Sequence, residues 1–284
     1  MRERVQFEDF NEKWKAHVRQ SESLRMHNDQ AEQDFWRQFM AKKGQYAPDP
    51  SSRPVAAFLQ GKIAELGIQS VLELGPGWGN YTLDFAQSCK EVACVDISKD
   101  VLDYIEQTGA QQGFHNITSH HVKWEEFVSP RQYDLVFGYN CFYRLEDLAA
   151  AFWKMNRYAD VLCVAGMNTG IAPPWFHELE QSGASVSWEW KDCIYFVNIL
   201  YQMGIDADVK IFPFTKQLRY ASKEELLARE CGKLKAGHYD PKAAEEILLK
   251  HFQQNDQGEF TAQAHYRSAL VMWQACGEEI GYEG

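Results

Sequence analysis

The sequence predicts a doubly wound α/β fold, and three observations carry that expectation. Short apolar segments recur between helical ones from residue 69 onward. The apolar segments, such as Val161-Leu-Cys-Val-Ala-Gly-Met167, are nearly continuous rather than alternating, as expected for strands covered on both faces. The first of them runs into a glycine-rich turn that opens a helix. Strand–helix alternation at this pace builds a parallel sheet.

The elements follow in order. Residues 1–45 read as amphipathic helix: Phe10, Trp14 and Val18 recur every fourth residue, and Phe35, Trp36, Phe39 and Met40 make a second apolar face. Pro48, Pro50 and Pro54 break that pattern, and Ser52 is placed to cap a helix through Val55, Phe58, Leu59, Ile63 and Leu66 that stops at Gly67. Strands are expected at 70–74, 91–96, 117–122, 133–139 and 159–167. Helices fall between them at about 79–89, from a Ser98 cap to a Gly109 stop, and at about 147–158. Pro173-Pro174 opens a short helix, and Trp188–Met203 reads as an aromatic one ended by Gly204. A strand at 209–214, polar helices near 222–235 and 241–254, and a long last strand at 261–274 complete the chain.

Composition narrows the function classes. The 284 residues are 45% hydrophobic and 24% charged, which excludes a disordered chain or a disulfide scaffold. A formal charge of −11 disfavours phosphate, so no nucleic-acid partner is expected. No apolar run approaches the ~18 residues that a membrane span requires. The seven cysteines are odd in number and never spaced C-x-x-C, which indicates reduced thiols, a cytoplasmic location and no zinc site. His120 and His121 are adjacent on a strand and point to opposite faces, so they are no metal pair.

The chemistry concentrates in Val71-Leu-Glu-Leu-Gly-Pro-Gly-Trp-Gly-Asn80. Glycines at alternate positions permit positive φ and let backbone approach a ligand that a Cβ would block. Asp96 ends the next strand about 20 residues after the first glycine, where a carboxylate can take ribose hydroxyls. A dinucleotide fingerprint would need glycine at position 80, which is Asn, and no Gly-Lys-Ser/Thr follows for a P-loop.

On these residues the chain resembles the class I S-adenosylmethionine (SAM) dependent methyltransferases. Glu73-Leu-Gly-Pro-Gly-Trp-Gly79 matches their first motif, Asp96-Ile97 the second, and Tyr133–Asp147 looks like the fourth-strand motif. The resemblance covers about residues 55–167 well. It implies SAM as cofactor, with Gly75, Gly77 and Gly79 along its methionine and ribose part and Glu73 near its amino group. Asp96 would hold the ribose, Ile97 and Trp124 would flank adenine, and Gly138 and Tyr139 would pass under the sulfonium. The chain departs from the family at Lys123-Trp124-Glu125, where an acidic residue usually faces adenine.

The resemblance further implies a seven-stranded, mainly parallel sheet with an antiparallel last strand. To it are added an N-terminal helical cap (1–54), a cap-like insertion (173–203) and a helical insertion (220–256) within a domain spanning 55–284. Asn140-Cys-Phe-Tyr143 in place of Asn-Pro-Pro-aromatic argues against adenine-N6 methylation, and no Pro-Cys nucleophile follows for cytosine C5. A small-molecule acceptor is therefore expected, with Tyr143 and His177 to orient or deprotonate it. Trp175, Trp188, Trp190, Tyr195 and Phe196 would cap it, the N-terminal helices forming the other half of a lid. A noncatalytic SAM-binding protein, a protein methyltransferase and, more remotely, an NAD-dependent oxidoreductase stay open, as does a homodimer.

Overall fold

The computed structural model describes residues 8–42, 44, 46–169, 172–186, 192–235 and 237–276. The chain divides into two compact units, one of Met1–Asn168, Lys191–Phe212 and Ala269–Gly284, the other of Thr169–Trp190 and Pro213–Ser268. The elements of the first unit are helices α1 (Phe10–Gln20), α2 (Leu24–His27), α3 (Asp29–Lys42) and α4 (Arg53–Leu66), then β1 (Ser70–Leu74), α5 (Thr82–Ser88), β2 (Glu91–Asp96), α6 (Lys99–Gln111), β3 (Ile117–His121), β4 (Tyr133–Tyr139), α7 (Leu148–Tyr158) and β5 (Ala159–Thr169). Next come α8 (Pro174–Gln181), α9 (Cys193–Gln202), β6 (Asp208–Tyr220), α10 (Lys223–Cys231), α11 (Pro241–His251), β7 (Gln253–Gln254) and β8 (Phe260–Gln274).

The sheet order is β3-β2-β1-β4-β5-β8-β6, with β7 pairing antiparallel to β8. Strands β3, β2, β1, β4 and β5 are mutually parallel. The two-residue β7 was not legible in the sequence, and it makes the sheet eight-stranded. Alternate residues serve opposite faces. Leu72 and Leu74 of β1 and Val136 of β4 join one apolar cluster, while Val71, Leu135 and Phe137 join another. The strand order reverses between β1 and β4, which opens a crevice at their carboxyl ends.

Helix α1 belongs to the first of these clusters. Trp14 is 3% exposed, its Nε1 donates to Leu145 O at 2.8 Å, and its ring meets Tyr195 and Phe196 of α9 edge-on. The N-terminal stretch is three helices, separated where Ser21 and Asn28 adopt extended backbone. Ser52 makes no side-chain cap bond and instead donates to Asp49 O within a short 3-10 turn. The helix expected from position 79 starts at Thr82, because the chain spends Gly75–Tyr81 turning. Gly109 does not stop α6, which runs to Gln111. A Cβ there would lie 2.8 Å from Ile117 Cδ1, so this glycine serves the packing of α6 on β3.

The second unit has its own core of Trp175, Phe176 and Leu179 from α8 with Leu226, Leu248 and Phe252. The 173–203 segment is thus shared out, α8 to this unit and α9 to the first. Strand β6 extends to Tyr220, well past the expected Phe214.

Phe152 of α7 is fully buried among Phe142, Phe196 and Trp273. Phe152→Ala is expected to cost about 3–5 kcal/mol, read as a lower urea midpoint with an unchanged slope.

Candidate functional site

The crevice is built from the turn after β1, the end of β2 and the turn after β4. Gly75, Gly77 and Gly79 all have positive φ, at 58°, 57° and 86°. The space beside Gly75 belongs to this chain: a Cβ would stand 2.4 Å from Cys141 Cβ. Gly138, at the end of β4, is bare for the same reason, with Cys141 Sγ at 3.0 Å and Phe142 Cζ at 2.9 Å from its would-be Cβ. Cys141 is the residue that sequence reasoning passed over here. It lets the turns after β1 and β4 meet backbone to side chain, and burial pushes its thiol far above the ordinary range.

Two buried carboxylates flank the glycine turn. Glu73 is 1% exposed and accepts Thr82 Oγ1 at 2.6 Å. Burial pushes it up to about 8, against the hydrogen bond from Thr82. Asp96 is 8% exposed and accepts Ser98 N–H at 2.7 Å. Burial likewise raises it to about 7, against the backbone donors of Ser98 and Ile97. Neither forms an ion pair among the described residues. Two carboxyl groups buried without a cation are poised for a ligand that brings hydroxyl donors and an ammonium.

Ile97 is half-buried, and its carbonyl is bonded by the His121 ring at 2.9 Å. Trp124 is 7% exposed, packs on Phe127 and Tyr158, and leaves its Nε1 without a hydrogen-bond partner. Tyr139 turns its ring against Gly166, donates to Asn168 Oδ1 at 3.0 Å and sits 5.1 Å from the Tyr81 ring. Asn140, next in the chain, is the one non-glycine residue with positive φ (52°) among the described residues, and its Oδ1 accepts Asn168 N–H.

The N-terminal helices reach this site. Trp36 Cη2 lies 3.5 Å from where Gly77 would carry a Cβ, Phe39 stacks on Trp78, and the Tyr46 hydroxyl donates to Gly79 O at 2.9 Å. The two residues expected to serve an acceptor are placed differently. The Tyr143 hydroxyl is taken up by Glu32 Oε1 at 2.5 Å and Arg25 Nη2 at 3.0 Å. Burial and the Glu32 charge raise its phenol well above ordinary, which removes it as a base near neutral pH. His177 lies on the exposed face of α8, in the second unit, and shares a hydrogen bond with Gln181. Trp175, expected in a substrate cap, is buried in the core of that unit with its Nε1 on Glu230. Trp188 and Trp190 lie outside the described residues.

Residues 71–160 match a family model described as a methyltransferase domain. No curated protein matches the chain. Among solved structures, the fold is similar to a protein of Bacillus halodurans C-125 assigned as a methyltransferase, at 12% identity over 76% of this chain and 98% of that one, TM-score 0.50. It is also similar to magnesium protoporphyrin IX methyltransferase from Synechocystis PCC 6803, solved with bound S-adenosylhomocysteine, at 12% identity over 83% and 93%, TM-score 0.48.

The raised Glu73 carboxyl has a consequence for stability. Between the ordinary value of 4.5 and about 8, the folded chain holds a proton there that the unfolded chain has released. Stability therefore falls as pH rises through that window. Glu73→Gln, which keeps an acceptor for Thr82, is expected to flatten the fall. Urea midpoints at pH 5, 6.5 and 8 for both proteins measure it.

Proposed function

From a chain that carries a class I SAM-dependent methyltransferase domain, we propose that it transfers the cofactor's sulfonium methyl to a small-molecule acceptor by in-line displacement. The residues present fit the cofactor. Among the described residues only the Trp36 ring comes within 4 Å of where Gly77 would carry a Cβ, and Asp96 and Glu73 are buried acceptors without cations. Asp96 would accept the ribose hydroxyls. Glu73, oriented by Thr82, would meet the methionine ammonium, whose charge favours the ionised carboxylate that burial alone resists.

The observation that carries the small-molecule reading is the covering of the glycine turn by Trp36, Phe39 and Tyr46. A covered, aromatic-walled site suits an enclosed acceptor better than a duplex or a protein surface. The net charge of −11 supports the same reading against nucleic acid.

The cofactor, when bound, supplies a methyl already activated by positive sulfur. The chain's own work is then to hold two reactants in line and keep water out. Tyr143 contributes through the cap, since Glu32 and Arg25 occupy its hydroxyl. Among the described residues no helix is long and apolar enough to cross a membrane. The free cysteines, only one of them exposed, favour a reducing, cytoplasmic setting.

Isothermal titration is expected to give micromolar binding of S-adenosylhomocysteine, about −8 kcal/mol, and no comparable binding of NAD. The reverse result would overturn the cofactor reading. Tritiated methyl from SAM should appear in the small-molecule filtrate rather than in retained protein when the chain is incubated with a metabolite extract. Asp96→Ala should keep the fold and weaken S-adenosylhomocysteine binding by about 2–4 kcal/mol, because two charge-assisted bonds to the ribose are lost.

A further inference from the structure

The carboxylate of Glu32 is buried in α3, 2% exposed, and four side chains converge on it. Its Oε1 accepts Tyr143 Oη at 2.5 Å and Trp36 Nε1 at 2.8 Å, and its Oε2 accepts Arg25 Nε at 2.8 Å. The Arg144 guanidinium stands 3.8 Å away. Burial opposes the charge, yet Arg25, Tyr143 and Trp36 together hold Glu32 below the usual carboxylate range. One ionised group therefore ties α2 and α3 to the turn after β4. At the start of α3, Asp29 repeats the pattern, pairing with Arg144 at 2.5 Å and with Lys123 after β3.

The same helix covers the crevice. Trp36, whose indole N–H is fixed by Glu32, lies over Gly77, and Phe39 lies over Trp78. Arg37 reaches Asp100 at the start of α6, 3.5 Å away. Asp96, at the neighbouring end of β2, feels the charges of both Glu32 and Arg144. A nucleoside seated on the glycine turn would lie under Trp36, so its exit past that turn would need α3 to lift. Lifting α2 and α3 together keeps Arg25 on Glu32 but pulls both from Tyr143 and leaves the Arg144 guanidinium without Glu32, Asp29 and the Arg25 carbonyl, an unfavourable state.

We propose that Glu32 is a latch: a positioning residue that holds α2 and α3 closed over the crevice and sets how long the cofactor product stays bound. This rests on the cofactor reading above. The latch is made of charge and hydrogen bonds at the rim, Arg144 also donating to the Arg25 carbonyl, so it acts on release, the step at which lid opening often limits turnover. The i, i+4 pair Glu32–Trp36 is visible in the sequence, but its partners Arg25, Tyr143 and Arg144 converge only in the fold.

The test measures dissociation of prebound tritiated S-adenosylhomocysteine from the full-length chain after dilution into unlabelled ligand. Glu32→Gln keeps an acceptor for Trp36 but loses the charge, and should dissociate about tenfold faster, the effect of losing one charge-assisted bond. Amide exchange should quicken over residues 24–42 and stay unchanged in β1 and β4. Tyr143→Phe removes one bond to Glu32 without altering any charge, and should speed release about threefold. It decides the matter alone if Glu32→Gln does not fold. Gln30→Ala, whose exposed side chain bonds Asp34 within the same helix, should release at the wild-type rate. Wild-type release from folded Glu32→Gln or Tyr143→Phe overturns the latch, as does an equal acceleration in Gln30→Ala. Failure of the wild-type chain to bind the ligand at all overturns the cofactor reading instead.

Discussion

The close approach of two turns governs the carboxyl end of this sheet. After β1 and after β4 the chain leaves neighbouring parallel strands, and the turns meet with Cys141 pressed against the bare Cα of Gly75. No side chain larger than hydrogen fits at 75 or 138 while Cys141 and Phe142 keep their places. From that contact the rest follows. The first turn must run through positive φ, Glu73 is sealed beneath it, and Asn140 is held in a left-handed conformation by Gly166 O and Asn168 N–H. The glycines read from the sequence as room for a ligand are, at 75 and 138, first of all room for this chain's own cysteine and phenylalanine.

Much of the fold was legible because the parallel strands are apolar on both faces, and continuous apolar runs mark themselves out. Strands β1, β2 and β4 fall at the expected residues. The misreadings share a cause. Gly109 was read locally as a helix stop, whereas its lack of a side chain answers to Ile117, a tertiary neighbour. Ser52 was read as a cap, but Asp49 and a 3-10 turn claim its hydroxyl. Periodicity marked the N-terminal helices as amphipathic without saying what they cover. Trp14 proves to be core, bonded to Leu145 O, while Trp36 faces the glycine turn.

The site divides along the same line. Glu73, the three glycines and Asp96 stand where the sequence placed them, at strand ends and in the turn after β1, because position along the chain alone sets them there. Tyr143 was placed correctly after β4 but assigned to an acceptor, and its hydroxyl instead serves Glu32, 111 residues away in sequence. His177 looked close to the site by chain order, yet α8 builds the second unit around Trp175 and Glu230. Spacing along the chain carries the backbone of such a site. The polar partners that converge on one buried carboxylate from three separate stretches leave no spacing to read.

Helix α6 is a rigid rod with its two ends engaged in different tasks. At one end Ser98 donates its N–H to Asp96 and its hydroxyl oxygen accepts from Val101 N–H; toward the other, Gly109 lies flush with Ile117. The ten residue steps from Lys99 to Gly109 span about 15 Å. A methyl group at 109 would have to wedge the helix away from β3 or push Ile117 aside, and a wedge under one end of a rod swings the other. The Asp96 carboxylate is thereby mechanically coupled to a glycine at the far end of the helix, so α6 makes the geometry of the crevice answerable to packing at the sheet's edge.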